Sequence, residues 1–489
     1  VALLVVAVWG FRFVPQMYFP DSSRTQFMID YWMAQGTRIE EVSDNLRQLE
    51  KELLAQEGVE SVSAFIGGGP PRFYLPVDPE DSYASYGQLI VDTRTLNDVD
   101  TVMASIEPWA QENMPEALMV RVRKYGVGAF DDWKIEARFS GPAEADPEVL
   151  RGLAEQGMEI LRATPMAKDV STDWQQKVRR LVPEYNQERG RWAGVTRDEI
   201  ASTTKRAFDG VPVGQYREGD DLIPIVIRQP QQERQRAAVD MEVLQVVPNL
   251  STDTVPLSQV TDGISIEWED PLIWRWDRRR AITVQSSVNG VTAPTLRAAI
   301  LADFEAIELP PGYTLEWDGE YNSSKESQEA LIPGIVPTVV IMMFIIVVLF
   351  NAFRPPVIIF AVIPFVLIGI TFGLMVTQVP FGFIALLGAM SLSGMMIKNA
   401  VVLLDQVNLN LAEGMSMYQA VVEAAVSRLR PVINAAATTV FGMAPLLQDV
   451  FWISMAVTIM FGLAFGTILT MLLVPVLYAT LYRIPAEGT

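Results

Sequence analysis

From Ala330 to Arg483 the chain is nearly free of charge, and that stretch limits its possible folds more than any other feature. Five apolar runs fall within it, at about 331–350, 357–376, 381–409, 431–447 and 452–482. About 20 apolar residues in a helix cross the ~30 Å hydrocarbon core of a bilayer, so each run is a candidate span. Lipid offers the backbone no hydrogen-bond partners, which leaves helices as the form these runs can take there. Pro337, Pro364 and Pro475 lie inside runs, where neighbouring helices can satisfy the freed carbonyls. The opening "VALLVVAVWG" (1–10) would rise only ~14 Å as a helix. It lacks the basic start and small-residue cleavage site of a signal peptide. It is expected to be the end of a truncated transmembrane helix, and the chain a fragment.

Basic residues orient the runs. Arg354 follows the first, Arg428 and Arg430 follow the third, and Arg483 follows the fifth, whereas 377–380 and 448–451 hold no Lys or Arg. The basic ends should face the cytoplasm, which puts the long polar region on the other side. The link "EGMSMYQAVVEAAVSRLRP" reads as a cytoplasmic amphipathic helix capped at Ser416, with Pro431 opening the next helix.

Lys398 is the only charged residue between Arg354 and Asp405. A lysine at the bilayer centre costs roughly 2.5–3.5 kcal/mol, so it needs either a partner or a purpose. It lies ~22 Å along a helix from Phe383 and ~10 Å before Asp405, so a snorkelling stem is the simpler reading. Beside carboxylates the same lysine would be held while they are ionised and released when they protonate, so proton binding could change helix packing.

The polar region, from Pro20 to about Glu329, is acidic in a chain of net charge −20, which argues against nucleic acid as a partner. The chain has no Cys and no His. That excludes disulfides, Cys- or His-based metal sites, thiol nucleophiles and imidazole catalysis. Over 22–126 the periodicity gives strand, helix, strand, strand, helix, strand, the split βαβ unit of ferredoxin-like folds. The order recurs over 130–176 and 281–320, interrupted by an inserted domain at 177–280 that holds the helix "TRDEIASTTKRAF" and the strand "LIPIVIR". The fold class expected is an α+β membrane protein: two ferredoxin-like units, the second split by an insertion, and a bundle of transmembrane helices.

These motifs resemble the second half of resistance–nodulation–division (RND) efflux pumps, nearest to the acriflavine-resistance branch. "GMMIKNAVVLLDQVN" and "EGMSMYQAVVEAAVSRLRPVINAAATTVFGMAPLL" are similar to its membrane motif. "FRFVPQMYFPDSSRTQFMIDYWMAQGT", "DGVPVGQYREGDDLIPIVIR", "VPLSQV" and "RRRAITV" are similar to its periplasmic segments. The resemblance implies a proton-driven antiporter in a bacterial inner membrane, which uses no cofactor beyond the proton gradient. It implies a homotrimer that delivers hydrophobic or amphipathic small molecules to a periplasmic adaptor and an outer-membrane channel. The two ferredoxin-like units become porter subdomains and the insertion a docking subdomain. Lys398 would pair with two aspartates on a missing N-terminal half, with Arg428 in the same relay. Ala435 stands where the family carries a hydroxyl, so Thr438 and Thr439, a turn further on, are the substitutes. Asp405 is a relay candidate beside its plainer reading as an interfacial cap.

"AFIGGGPPRFYLP" (64–76) is by composition a Gly/Pro hairpin. By resemblance it takes the place of a mobile loop bordering the substrate pocket, with Phe65, Gly67, Gly68, Gly69, Phe73 and Tyr74 as contacts. Three alternatives stand beside this reading. Met114 and Met119 raise soft-metal export, since thioethers bind Cu(I), against their plainer reading as core. A protein- or lipid-export accessory would lack the inserted domain. A non-transporting sensor would need no intramembrane lysine.

Overall fold

A computed structural model describes residues 2–128, 132–234, 240–248 and 253–485. Alternating apolar residues build β1 (Gln26–Met33), β2 (Val59–Ile66), β3 (Tyr86–Thr93) and β4 (Ala117–Lys124), all antiparallel in the order β2-β3-β1-β4. Two helices, Ile39–Ala55 and Leu96–Asn113, cover one face. Their apolar stripes, among them Leu46, Leu49, Val99 and Val102, bury against Phe27, Ile29, Tyr31, Leu89 and Val91. Thr95 caps the second helix through a reciprocal pair of bonds with Asp98. With helices on one face only, the opposite face of the sheet is left to other partners.

The second unit repeats this order. β5 (Ile135–Ser140), the helix Pro147–Arg162 and β6 (Ala167–Thr172) are followed, after the insertion, by strand Arg279–Val288, helix Ala293–Glu305 and strand Thr314–Gly319. Arg279–Val288 pairs with both β5 and β6, and Thr314–Gly319 closes the other side of β5. Its core, centred on Phe139, Leu150, Trp174 and Phe304, is separate from that of the first unit. Among the described residues the two units meet through polar side chains. Lys168 of β6 reaches Glu107 at 3.1 Å, Arg121 of β4 donates to Ser287 Oγ at 3.2 Å, and Gln35 bonds Gln175.

Gln176–Pro271 forms a compact unit of its own, so the insertion returns to the second sheet nine residues before the 177–280 expected from the sequence. The reason is Trp276, which pairs with Arg279 as an extra strand beside Arg279–Val288. Within the insertion, strands Val178–Tyr185 and Thr261–Glu269 pair antiparallel, and the helix Arg197–Phe208 is capped by Thr196. Val211–Glu218 and Asp221–Ile227 form a two-stranded hairpin closed at Gly219, whose φ of 61° suits glycine. Tyr216, Leu222, Ile225 and Ile227 on this hairpin are all exposed.

The apolar part is a helical bundle. Among the described residues, four helices are long and apolar enough to cross a membrane: Glu320–Phe350, Arg354–Thr377, Phe383–Ala412 and Ile453–Tyr482. Arg354–Thr377 holds one tight turn at Ile363–Phe365, where Pro364 removes a donor. The stretch read from sequence as a link helix and a span at 431–447 is instead one helix, Met417–Met443, that runs through Pro431. The last helix sits at the centre, held close by small residues. A Cβ on Gly369 would fall 2.5 Å from the Phe461 carbonyl, and one on Gly462 2.2 Å from Leu392 Cδ2. The short helix Ala2–Phe11 packs its Gly10 against Thr371 and Met375.

Candidate functional site

Lys398 is placed by a helix whose other face is fixed. Leu392, Met396, Ala400, Leu403, Leu404 and Val407 of Phe383–Ala412 are buried, which turns Lys398 outward. Lys398 and Asp405 are both exposed, and seven residues rotate a helix by only ~20°, so they share one outward stripe. Among the described residues neither makes a hydrogen bond or an ion pair. The other expected relay residues make hydrogen bonds to different partners. Arg428 Nη2 donates to Gln406 Oε1, Gln406 Nε2 donates to Asn410 Oδ1 at 2.7 Å, and Asn410 Nδ2 donates to the Ala420 carbonyl at 3.0 Å. This chain of amides ties two helices together beside their connecting loop, and Arg428 serves as its anchor. Thr438 and Thr439 donate to the Ala435 carbonyl at 2.9 and 3.0 Å, so both hydroxyls are spent on their own helix.

The glycine loop is tied down on both sides. Gly67 has a φ of 80° and donates to the Tyr86 carbonyl at 2.8 Å, while Gly68 and Gly69 lie against Ser82 and Glu80. Phe65 belongs to the β2–β3 ladder opposite Gln88. Phe73 and Tyr74 turn elsewhere: both meet the ring of Tyr125 edge-on, and Tyr74 donates to the Gly126 carbonyl at 2.9 Å. Phe65 and the glycines thus lie together by Tyr86–Gln88, while Phe73 and Tyr74 pack on Tyr125.

Sequence reasoning missed a buried cluster on the helix-free face of the first sheet. Asp30, 2% exposed, accepts from Tyr86 Oη at 2.8 Å, Gln88 Nε2 at 2.7 Å and Arg123 Nε at 2.6 Å. Arg121 stands 3.9 Å from the same carboxylate and stacks on Trp133 at 3.7 Å. Arg123 also holds Asp132 at 2.6 Å. Burial alone would raise the Asp30 carboxyl, but Arg123 and Arg121 outweigh it and hold the group below its ordinary range. Half-buried Glu80 has no such excess of cations around it. Its burial, then Asp30 and Asp132, push it up to about 7. The signal was present in the sequence: charged residues at Asp30 and at "RVR" (121–123) interrupt strands that are otherwise apolar on both faces.

Because Glu80 is raised in the folded state, the fold binds more protons than the unfolded chain between its ordinary 4.5 and about 7. Stability from this group is full below that window and is lost as the pH rises through it. Glu80→Gln should therefore match the parent near pH 4.5 and exceed it at pH 8 by roughly 1–2 kcal/mol, discounted for partial exposure. Melting midpoints taken across this range read the difference; parallel curves would contradict it.

Two ferredoxin-like units and a bundle of long apolar helices, one bearing an outward lysine, make up the architecture of this chain. The model of the AcrB/AcrD/AcrF family matches residues 1–482, and the chain belongs to this RND permease family. It is 25% identical over 359 residues to the cobalt-zinc-cadmium resistance protein CzcA of Cupriavidus metallidurans, covering 69% of this chain and 32% of that protein. It is also 25% identical over 516 residues to the nickel and cobalt resistance protein CnrA of the same organism, covering 98% of this chain and 45% of the relative. The swarming motility protein SwrC of Bacillus subtilis is 30% identical over 216 residues, covering 42% and 20%. A heavy metal efflux pump solved in two crystal forms shares the fold, with TM-scores of 0.77 and 0.79 at 17% and 19% identity. It covers 99% of this chain and 50% or 49% of that one. The chain thus spans less than half the length of the curated relatives it matches. Metal-resistance names among them replace the narrower expectation of the acriflavine-resistance branch with the family as a whole.

Proposed function

We propose that this chain is the exporting half of a proton-driven permease of a bacterial inner membrane, and that its cargo is a divalent transition-metal cation. The observation that carries the transport reading is Lys398, an outward cation on an apolar helix of an RND-family chain, without a partner among the described residues. Its proposed partners are intramembrane carboxylates, which the family resemblance implies on another segment. The cargo reading rests on the cobalt, zinc, cadmium and nickel resistance named for the relatives. Met114 is buried in the first ferredoxin-like core and serves packing, whereas Met119, half-buried opposite Trp32, lies outside that core. The ends rich in arginine face the cytoplasm and the porter and docking units face the periplasm. The exposed apolar hairpin Val211–Ile227 suits burial against a neighbouring copy in a homotrimer, which would meet an adaptor and an outer-membrane channel.

A second reading, export of hydrophobic or amphipathic compounds, draws on a specific observation. The porter carboxylates Asp30 and Asp132 are matched by Arg123 and Arg121, and no group of three acids that could hold a metal ion occurs among the described residues. Cells carrying the whole permease should accumulate several-fold less cobalt, nickel or zinc than cells without it. If metal content is unchanged while ethidium retention falls, the second reading replaces the first.

A further inference from the structure

A cavity of about 600 Å³ lies where the apolar bundle meets the second porter unit. Its apolar lining includes Phe11, Phe383 and Leu386 from helices and Phe381 from the segment just before Phe383–Ala412. The lining also carries three cations, Lys134, Arg297 and Lys325, and two acids, Glu320 and Glu329. Two of them have acids at hand. Lys134 is 3.4 Å from Glu320 and Lys325 is 3.9 Å from Glu329. Arg297 has aromatic neighbours instead, with its guanidinium 3.6 Å over Tyr321 and 4.9 Å over Trp317. Its Nε is buried and makes no hydrogen bond among the described residues. A guanidinium with no acid paired to it among the described residues thus lines a cavity of ligand size that also has an apolar lining.

Ile332 extends the apolar lining onto Glu320–Phe350, a helix whose apolar side chains are largely exposed. A molecule held at Arg297 could run an alkyl chain along that helix. We propose that this cavity binds the phosphate headgroup of a membrane phospholipid, with Arg297 holding the phosphate and Phe381, Phe383 and Leu386 taking the first methylenes. Guanidinium matches phosphate oxygens in a two-pronged geometry that the ammonium groups beside it cannot offer. The inference rests on the membrane reading above, because the headgroup must be supplied at the level where the apolar helices begin.

Native mass spectrometry of the purified permease, titrated with phosphatidylglycerol, tests it. The parent should retain one headgroup-bearing lipid per copy at this site. Arg297→Gln should weaken that retention at least fivefold, and Arg297→Lys should restore only part of it. Leu386→Trp fills the cavity without touching Arg297 and should weaken retention similarly, which guards against a variant that merely loses its fold; melting midpoints of both variants check this. Unchanged lipid retention in both variants would overturn the proposal. Displacement of the lipid by equimolar inorganic phosphate would overturn it in favour of a soluble phosphate ligand. Carbonate extraction of the permease from membranes would sink the membrane reading instead, and so keeps the two failures apart.

Discussion

Lys398→Ala is expected to abolish export while leaving the permease in the membrane at the parental level. The charge is unfavourable in lipid by roughly 2.5–3.5 kcal/mol, and alanine is the best helix former, so removing the lysine should not hinder insertion or folding. Nothing in this chain depends on it structurally: it faces outward and makes no bond among the described residues. A loss of transport must then come from lost function. Export of cargo down to the level of permease-free cells, a fall of at least tenfold, is the expected result. Lys398→Arg should also fail, because a guanidinium keeps its charge but matches carboxylates with a different geometry. Full export from the alanine variant would remove the proton reading and revive that of a membrane sensor.

Asp30→Ala carries the largest expected structural cost. The carboxylate holds Arg123 at 2.6 Å, receives two further hydrogen bonds and is 2% exposed. Its removal leaves two buried guanidinium groups short of a counter-charge, a loss of about 3–5 kcal/mol. Asp30→Asn should cost less, because an amide still accepts hydrogen bonds. The parent's own dependence on this group has a sign. Asp30 is depressed when folded, so its contribution is full above its ordinary 3.8 and is lost as the pH falls through the lower folded value. Chemical unfolding of the permease in detergent reads both effects. A cost below about 1 kcal/mol would mean that water, rather than Asp30, solvates the arginines.

The ferredoxin-like order was legible because period-2 and period-3.6 patterns are local: "AITVQSSV" falls inside strand Arg279–Val288. The two sheets have the same strand order, which follows once the elements are known. The Asp30 cluster was not legible, since Arg123 lies 93 residues away and only strand register brings the two together. Pro431 was misleading: it forbids one backbone bond, yet the helix continues because its neighbours hold it on both sides of that residue. Gln406 receives Arg428 and passes a bond on to Asn410, a link that depends on how two helices cross beside a short loop. Lys398 itself was plain in the sequence, but which side it faces is a property of the bundle.

The polar seam between the two ferredoxin-like units has a mechanical consequence. Each unit keeps its own apolar core, and Lys168–Glu107, Arg121–Ser287 and Gln35–Gln175 carry the joint. Such a joint can part and close again with water replacing each bond, and without exposing either core. Only Lys168–Glu107 is an ion pair, so salt screens that contact and leaves the buried Arg121–Ser287 bond and the Gln35–Gln175 amide pair nearly untouched. A joint of this kind would weaken only modestly in salt, and with little apolar surface uncovered it would keep nearly the same stiffness across temperature.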